Sequence, residues 1–280
     1  MSEAAAHAQT VSRADDQGAD DQGTAPIYSV DDGCATIRLN RPKHLNRIQA
    51  EDLEILIGYL NRIENAPAVR AVILTGTGRV FSAGYNLGDI KDGRSGKGED
   101  DVDDQSPFEQ LTNKLENLSR PTICRLNGPV YGGATDLALC CDFRIGTERC
   151  EMFMPASRLG LHYYPSGMVR YVTRLGVNAA KKLFLTAQTL KAEEMLRIGY
   201  LTEVVPADQL DAKVDELGKI LAAQAPVATQ NMKKSVNEIA RAPTELKAVA
   251  ERFRLSLGSE DIKEGVSAFF EKRKPVFKGR

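Results

Sequence analysis

Tryptophan is absent from this chain of 280 residues, histidine occurs only three times, and neither sign of charge is in excess. Five cysteines (Cys34, Cys124, Cys140, Cys141 and Cys150) are scattered without C-x-x-C spacing. With so few histidines this excludes the usual zinc patterns, and the odd number speaks against a disulfide framework, so a reduced cytoplasmic setting is expected. No apolar run approaches the roughly 20 residues needed to span a bilayer, and the N-terminus lacks the basic-then-apolar order of a secretory signal. Lys and Arg number 37 against 38 Asp and Glu. That balance gives no electrostatic reason to expect wrapping of nucleic acid or adhesion to an anionic membrane.

What is present is enough apolar sequence, 42% of residues, to bury a substantial core. Residues 1–25 stand apart: the tandem ADDQG-ADDQG from Ala14 to Gly23 has almost no large apolar residue around it and predicts a disordered tail. A second polar island, Lys91 to Ser106, interrupts the folded region and reads as a mobile loop, a candidate lid. Between them, IYSVDDGCATIRLN predicts a hairpin turning at Asp31-Asp32-Gly33. AEDLEILIGYLNRIENA has helical spacing, and VRAVILTGTG reads as a short buried strand. A helix start after Ser82-Ala83-Gly84, a helix over PFEQLTNKLENL, a strand in PTICRLNGPV, and a helix then a strand in GGATDLALCCDFRIG complete an α/β alternation. From Gly167 onward the pattern is almost wholly helical. The division expected is a 26–205 α/β core followed by a 206–280 helical region.

Two glycine turns stand where chemistry could sit, FSAGYNL (Phe81 to Leu87) and GPVYGGATDLAL (Gly128 to Leu139). A helix start carries unpaired N–H groups at a positive dipole end, so two converging starts can hold an oxyanion with backbone alone. For either turn taken singly, glycine that merely permits a tight turn is the plainer reading. Neither fits G-x-G-x-x-G or G-x-x-x-x-G-K-[ST], which disfavours a Rossmann dehydrogenase or another nucleotide-binding enzyme.

Taken together, FSAGYNL, NGPVYGGATDLALCCDFRIG, LTAQTLKAEEMLRIGYLTEVVP and SAFFEKRKPVF resemble the enoyl-CoA hydratase/isomerase, or crotonase, family, from around Ile27, through IRLNRPKHLN (Ile37 to Asn46), to the C-terminus. The resemblance implies an α/β spiral of β-β-α units with a helical C-terminal trimerisation region, hence a homotrimer or dimer of trimers. It implies an acyl-CoA substrate and no separate cofactor or metal. Its oxyanion hole falls on the N–H groups of Ala83 and Gly133, and Ser82, Gly84, Tyr85, Asn86 and Leu87 line the same substrate turn. Arg41, Lys43 and His44 correspond to the loop at the CoA mouth, where His44 is unusual and also suits a solvated loop. Phe269 and Lys272 correspond to the segment that reaches the nucleotide end of CoA; an exposed basic terminus is the plainer alternative.

For acid–base work the family's hydratases use two glutamates around one water. The first position belongs here to Asp136, a shorter carboxylate that also suits a helix N-terminus. The second belongs to Ala156, in Pro155-Ala156-Ser157-Arg158-Leu159-Gly160, so the proline, leucine and glycine are kept and the carboxylate is lost. Pro155 and Ala156 stay on the substrate-binding side of this reading. His162 and Tyr164 are the candidates to replace the missing proton transfer, and Tyr163 reads as packing. The expected activity is enoyl-CoA hydration. Double-bond isomerisation, hydrolysis on the same fold, and weakly catalytic acyl-CoA binding are the alternatives.

Overall fold

The computed structural model describes residues 23–86, 105–159, 161–241 and 259–280. The tail through residue 22, most of the polar island after Lys91, Leu87 and Gly160 lie outside the described residues.

The first hairpin pairs β1 (Ile27–Asp31) with β2 (Cys34–Leu39), antiparallel, Asp31 opposite Cys34. Asp32 and Gly33 both have positive φ, 44° and 74°, the primed turn that the right-handed strand twist favours. Parallel partners then add outward: β3 (Ala71–Gly76), β4 (Thr122–Arg125), β6 (Phe143–Thr147) and β9 (Glu203–Val205), in the order β1-β2-β3-β4-β6-β9. β3 is buried at every position, which suits its unbroken apolar run AVIL. A second sheet holds β5 (Val130–Tyr131), β7 (Glu151–Phe153) and β8 (Leu190–Lys191), with β7 between the others. β8 and β9 correct the almost wholly helical reading after Gly167. At two and three residues they are too short to show a period in sequence, and pairing with β7 and β6 defines them.

Helix α1 (Ala50–Glu64) follows from its sequence: a capping box joins Gln49 and Asp52, and Leu53, Leu56, Leu60 and Ile63 fall on one buried face. Each such side chain contributes about 1.5–3 kcal/mol on burial, and truncating Leu60 to Ala costs about 2–5 kcal/mol. Helix α2 (Pro107–Asn117) starts at Ser106, whose Oγ accepts from the Glu109 N–H at 3.2 Å. Helices α3 (Gly133–Leu139), α4 (Pro165–Leu175), α5 (Val177–Thr186) and α6 (Ala192–Arg197) pack on the main core. Among the described residues, α7 (Leu210–Ala222), α8 (Pro226–Arg241) and α9 (Glu260–Glu271) follow β9. Leu210 and Val214 of α7 pack with Ile73, Ile123 and Ile145, so α7 covers a face of the main sheet.

The segment beyond α9 folds back on it. The Asp261 carboxylate, 2% exposed, accepts from the N–H groups of Lys278 at 2.6 Å and Gly279 at 2.9 Å. Arg273 pairs with Glu264 through both nitrogens, and with the Val276 N–H it pulls that carboxyl down to about 2. These contacts hold the basic C-terminal segment against α9, with Lys272, Arg273, Lys274 and Lys278 exposed.

Candidate active site

The two glycine turns lie side by side. Ser82 and Val130 form a parallel bridge, and the Tyr131 N–H donates to the Ser82 carbonyl at 2.9 Å. Gly84 has φ 90°, and a Cβ there would sit 2.7 Å from the Tyr131 carbonyl oxygen and 3.0 Å from the Gly133 nitrogen. Only glycine allows this approach. Gly133 opens α3 behind Gly132, whose φ of 55° and ψ of −135° also demand glycine. Among the described residues the Gly133 N–H has no backbone acceptor.

Ala83 does not fit the role expected of it. Its N–H donates to the Leu45 carbonyl at 2.8 Å, and a bonded amide aimed into the loop is a poor oxyanion donor. Ser82 is likewise committed: its Oγ, fully buried, donates to the Asn46 carbonyl at 2.7 Å and accepts from the Gly84 N–H at 3.0 Å. Two residues on, the bridge between Ile48 and Tyr85 uses the Gly84 carbonyl and the Asn86 N–H, each 2.9 Å from Ile48. In such a pair the bridged residue turns its own N–H to the opposite side. Tyr85 thus directs its amide away from Ile48, on the flank where Gly84 abuts Gly133.

Asp136 lies one turn along α3 from Gly133, on the same helix face, with no solvent exposure. Its Oδ2 is held twice, by the Tyr164 hydroxyl and by Arg170 Nη1 at 2.5 Å. Its Oδ1 is buried with no hydrogen-bond partner among the described residues. Such an atom is costly unless something else satisfies it, and active sites are where that cost is tolerated. Behind Asp136, Arg170 Nη2 donates to Asn113 Oδ1 at 3.0 Å and Nε lies 3.0 Å from Glu116. Glu116 also pairs with Arg174 and Arg241. Burial works against the Arg170 charge; Cys140, Asp136 and Glu116 around it outweigh that and raise its pKa.

The chain MPASRLGLHYYP divides its candidates. Ala156, 4% exposed, sits in the core at the start of a 3-10 turn, and its carbonyl accepts from Leu161 N–H at 2.9 Å. Pro155 precedes it, half-buried. His162 is exposed, with Nδ1 2.8 Å from the Tyr163 carbonyl, so it faces its own backbone and not Asp136. The catalytic role considered for His162 is corrected accordingly. Tyr164 does reach Asp136, and its hydroxyl is also 3.2 Å from Thr112 Oγ1. Burial first, then Asp136, pushes the Tyr164 phenol well up, so it stays a protonated donor. Tyr163 packs as expected, stacked on Tyr164 with centroids 4.4 Å apart.

Three residues escaped the sequence reading. Phe108 lies over Gly133, where an added Cβ would meet its ring at 3.0 Å, and it is 5.6 Å from the Tyr85 ring and 6.2 Å from Tyr164. These aromatics wall the turn. Arg170 shares the buried face of α4 with Gly167 and Tyr171, a spacing of three and four that marked an arginine on an apolar stripe. Glu116 had no comparable signal.

At the far end, Lys43 and His44 are exposed on a 3-10 turn (Pro42–His44). Arg41 braces this turn by pairing with Asp52 at 2.8 and 3.2 Å, a structural role. Lys272 is exposed just past α9, with φ 54°. Phe269 lies on α9, and its side chain is outside the described residues.

A family model described as Enoyl-CoA hydratase/isomerase matches residues 29–280. The short-chain-enoyl-CoA hydratase of Clostridium acetobutylicum is 34% identical over 247 residues, covering 86% of this chain and 92% of the relative. The crotonyl-CoA hydratase of Syntrophomonas wolfei is 29% identical over 258 residues, covering 90% and 96%. The crystal structure of an enoyl-CoA hydratase from Bacillus anthracis superposes with a TM-score of 0.82 at 29% identity, covering 92% of this chain and 100% of that one. Matched over most of its length in sequence and in fold, with its paired glycine turns and the Asp136 carboxylate one helical turn beyond Gly133, this chain belongs to the enoyl-CoA hydratase/isomerase family.

Proposed function

We propose that this chain catalyses the reversible hydration of a 2-enoyl-CoA with a single carboxylate, Asp136. The observation that carries the reading is the Asp136 carboxylate itself: buried one helical turn from Gly133, with Oδ2 held and Oδ1 unpartnered. Similarity to relatives named as short-chain-enoyl-CoA and crotonyl-CoA hydratases supports the same direction.

In this mechanism the thioester oxygen sits between the N–H groups of Gly133 and Tyr85, the latter taking the place first given to Ala83. A water attacks C3, its proton passes to Asp136 Oδ1, and the C2–C3 π pair moves toward the thioester to form an enolate. The two amides stabilise the negative oxygen, a contribution of about 2.7–4 kcal/mol for each such donor. Asp136 then returns the proton to C2. Water has supplied OH to C3 and H to C2, and dehydration is the same path reversed. Tyr164 keeps its proton throughout and steadies Oδ2.

The absence of a carboxylate at Ala156 favours one second reading, isomerisation, in which Asp136 carries a proton between C2 and C4. Crotonyl-CoA separates the two. A hydratase removes the conjugated-thioester absorbance, whereas an isomerase without hydratase activity leaves it while converting a 3-enoyl-CoA.

CoA binding by Lys43, His44 and Lys272 belongs to the same proposal. So does assembly as trimers: Met232, Val236 and Ile239 expose an apolar stripe on α8, at 61%, 64% and 50%, which a second copy would cover. No helix of the described residues is long and apolar enough to cross a membrane. A cytoplasmic setting, with the five free cysteines reduced, completes the reading.

A further inference from the structure

Asp136 is unusual in how asymmetrically its two oxygens are treated. Oδ2 receives both the Tyr164 hydroxyl and Arg170 Nη1, while Oδ1 receives no hydrogen bond among the described residues. A carboxylate free to rotate about its Cβ–Cγ bond would offer either oxygen to a substrate. This one is pinned, and the pin is itself pinned. Arg170 has no solvent exposure; its Nη2 donates to Asn113 Oδ1 at 3.0 Å, and its Nε lies 3.0 Å from Glu116 as an ion pair without an aligned hydrogen bond. Glu116 in turn is held by Arg174 and by Arg241 at the end of α8. A planar guanidinium held at Nη2 and ion-paired at Nε leaves little freedom at Nη1.

We infer that Arg170 is a positioning residue that makes Asp136 a one-oxygen base, and so fixes the face on which C2 receives its proton. This rests on the hydration proposed above. There the proton taken from water and the proton delivered to C2 must both use Oδ1, so both new bonds form on the same face of the thioester. With the pin removed, Oδ2 becomes available, the carboxylate rotates, and bulk water gains a route to the enolate from elsewhere. The cost of a misplaced base is a rate effect of about 10²-fold for an error near 1 Å. Arg170 does not touch the substrate. Its effect belongs to kcat and to stereochemistry, not to thioester binding.

The test is hydration of crotonyl-CoA in D₂O by the full chain, with early product analysed by NMR for deuterium at the two C2 positions. The wild type is expected to label one position only. Arg170→Met is expected to lower kcat about 10²-fold, leave KM within about twofold as for any loss confined to the transition state, and label both positions. Arg170→Lys keeps the charge but contacts a carboxylate as a point, so it is expected to fall between the two. Glu116→Gln leaves Arg170 in place and loosens its support, with a smaller loss in kcat and detectable labelling of the second position. Should Arg170→Met fail to fold, as judged by circular dichroism, Arg170→Lys and Glu116→Gln decide the matter. Folded variants that turn over more slowly yet still label a single position overturn the inference, because a merely structural defect reduces rate without altering which face is protonated. Absence of turnover by the wild type is a different result: it removes the hydration reading itself.

Discussion

Tyr164 donates its phenolic hydrogen to Oδ2 of Asp136 across 28 residues of chain, joining the segment that lost a carboxylate to the one that kept it. Position 156 offers no acid, and burial, then Asp136 beside it, raises the pKa of the nearby Tyr164 phenol. In the proposed mechanism its contribution is to orient Asp136.

Replacing Tyr164 with Phe removes that hydrogen bond and the contact with Thr112 Oγ1, while the ring still stacks on Tyr163. A hydrogen bond to a charged group is worth about 1.5–3 kcal/mol, which corresponds to a fall in kcat of about 10- to 150-fold. Steady-state kinetics on an enoyl-CoA checks this, with KM expected to change little.

His162 is the contrasting case. It is exposed and turned to the Tyr163 carbonyl, so His162→Ala is expected to keep kcat/KM within about twofold and stability within about 0.5 kcal/mol. A loss of several hundredfold would return His162 to the mechanism.

Gly84→Ala tests the apposition of the two turns. A Cβ at φ 90°, 2.7 Å from the Tyr131 carbonyl, forces the turns apart. Backbone strain of this kind costs about 1–3 kcal/mol, with steric overlap added. Urea denaturation should show the lower midpoint, and kcat should drop further than the loss of folded protein explains.

The stripe on α8 predicts assembly. Met232→Lys combined with Val236→Glu places charge on the exposed face, and light scattering is expected to show a multiple of the 30.6 kDa chain for the wild type and a smaller species for the double variant. An unchanged mass would place the contact elsewhere.

Much of this was legible in the sequence because it is local. The Asp32-Gly33 hairpin, the face of α1 and the Ser106 start of α2 are each specified by residues within one or two turns. The glycine turns and Asp136 were legible through their motifs. What was not legible depends on contacts between distant segments. β9 is a strand because β6 lies beside it. Ala83 loses its donor to Leu45, a partner set by the path of the preceding loop. Arg170, Phe108 and Glu116 join the site through packing of α2 against α3 and α4, which no single stretch encodes.

Incubation of the purified chain with crotonyl-CoA, following absorbance of the conjugated thioester, tests the central claim most directly when wild type and Asp136→Asn are run together. General acid–base catalysis contributes about 10²–10⁴-fold, so the account predicts steady loss of absorbance with the wild type and a loss slower by that factor with the variant. Undiminished turnover by Asp136→Asn, or none by the wild type, would contradict it.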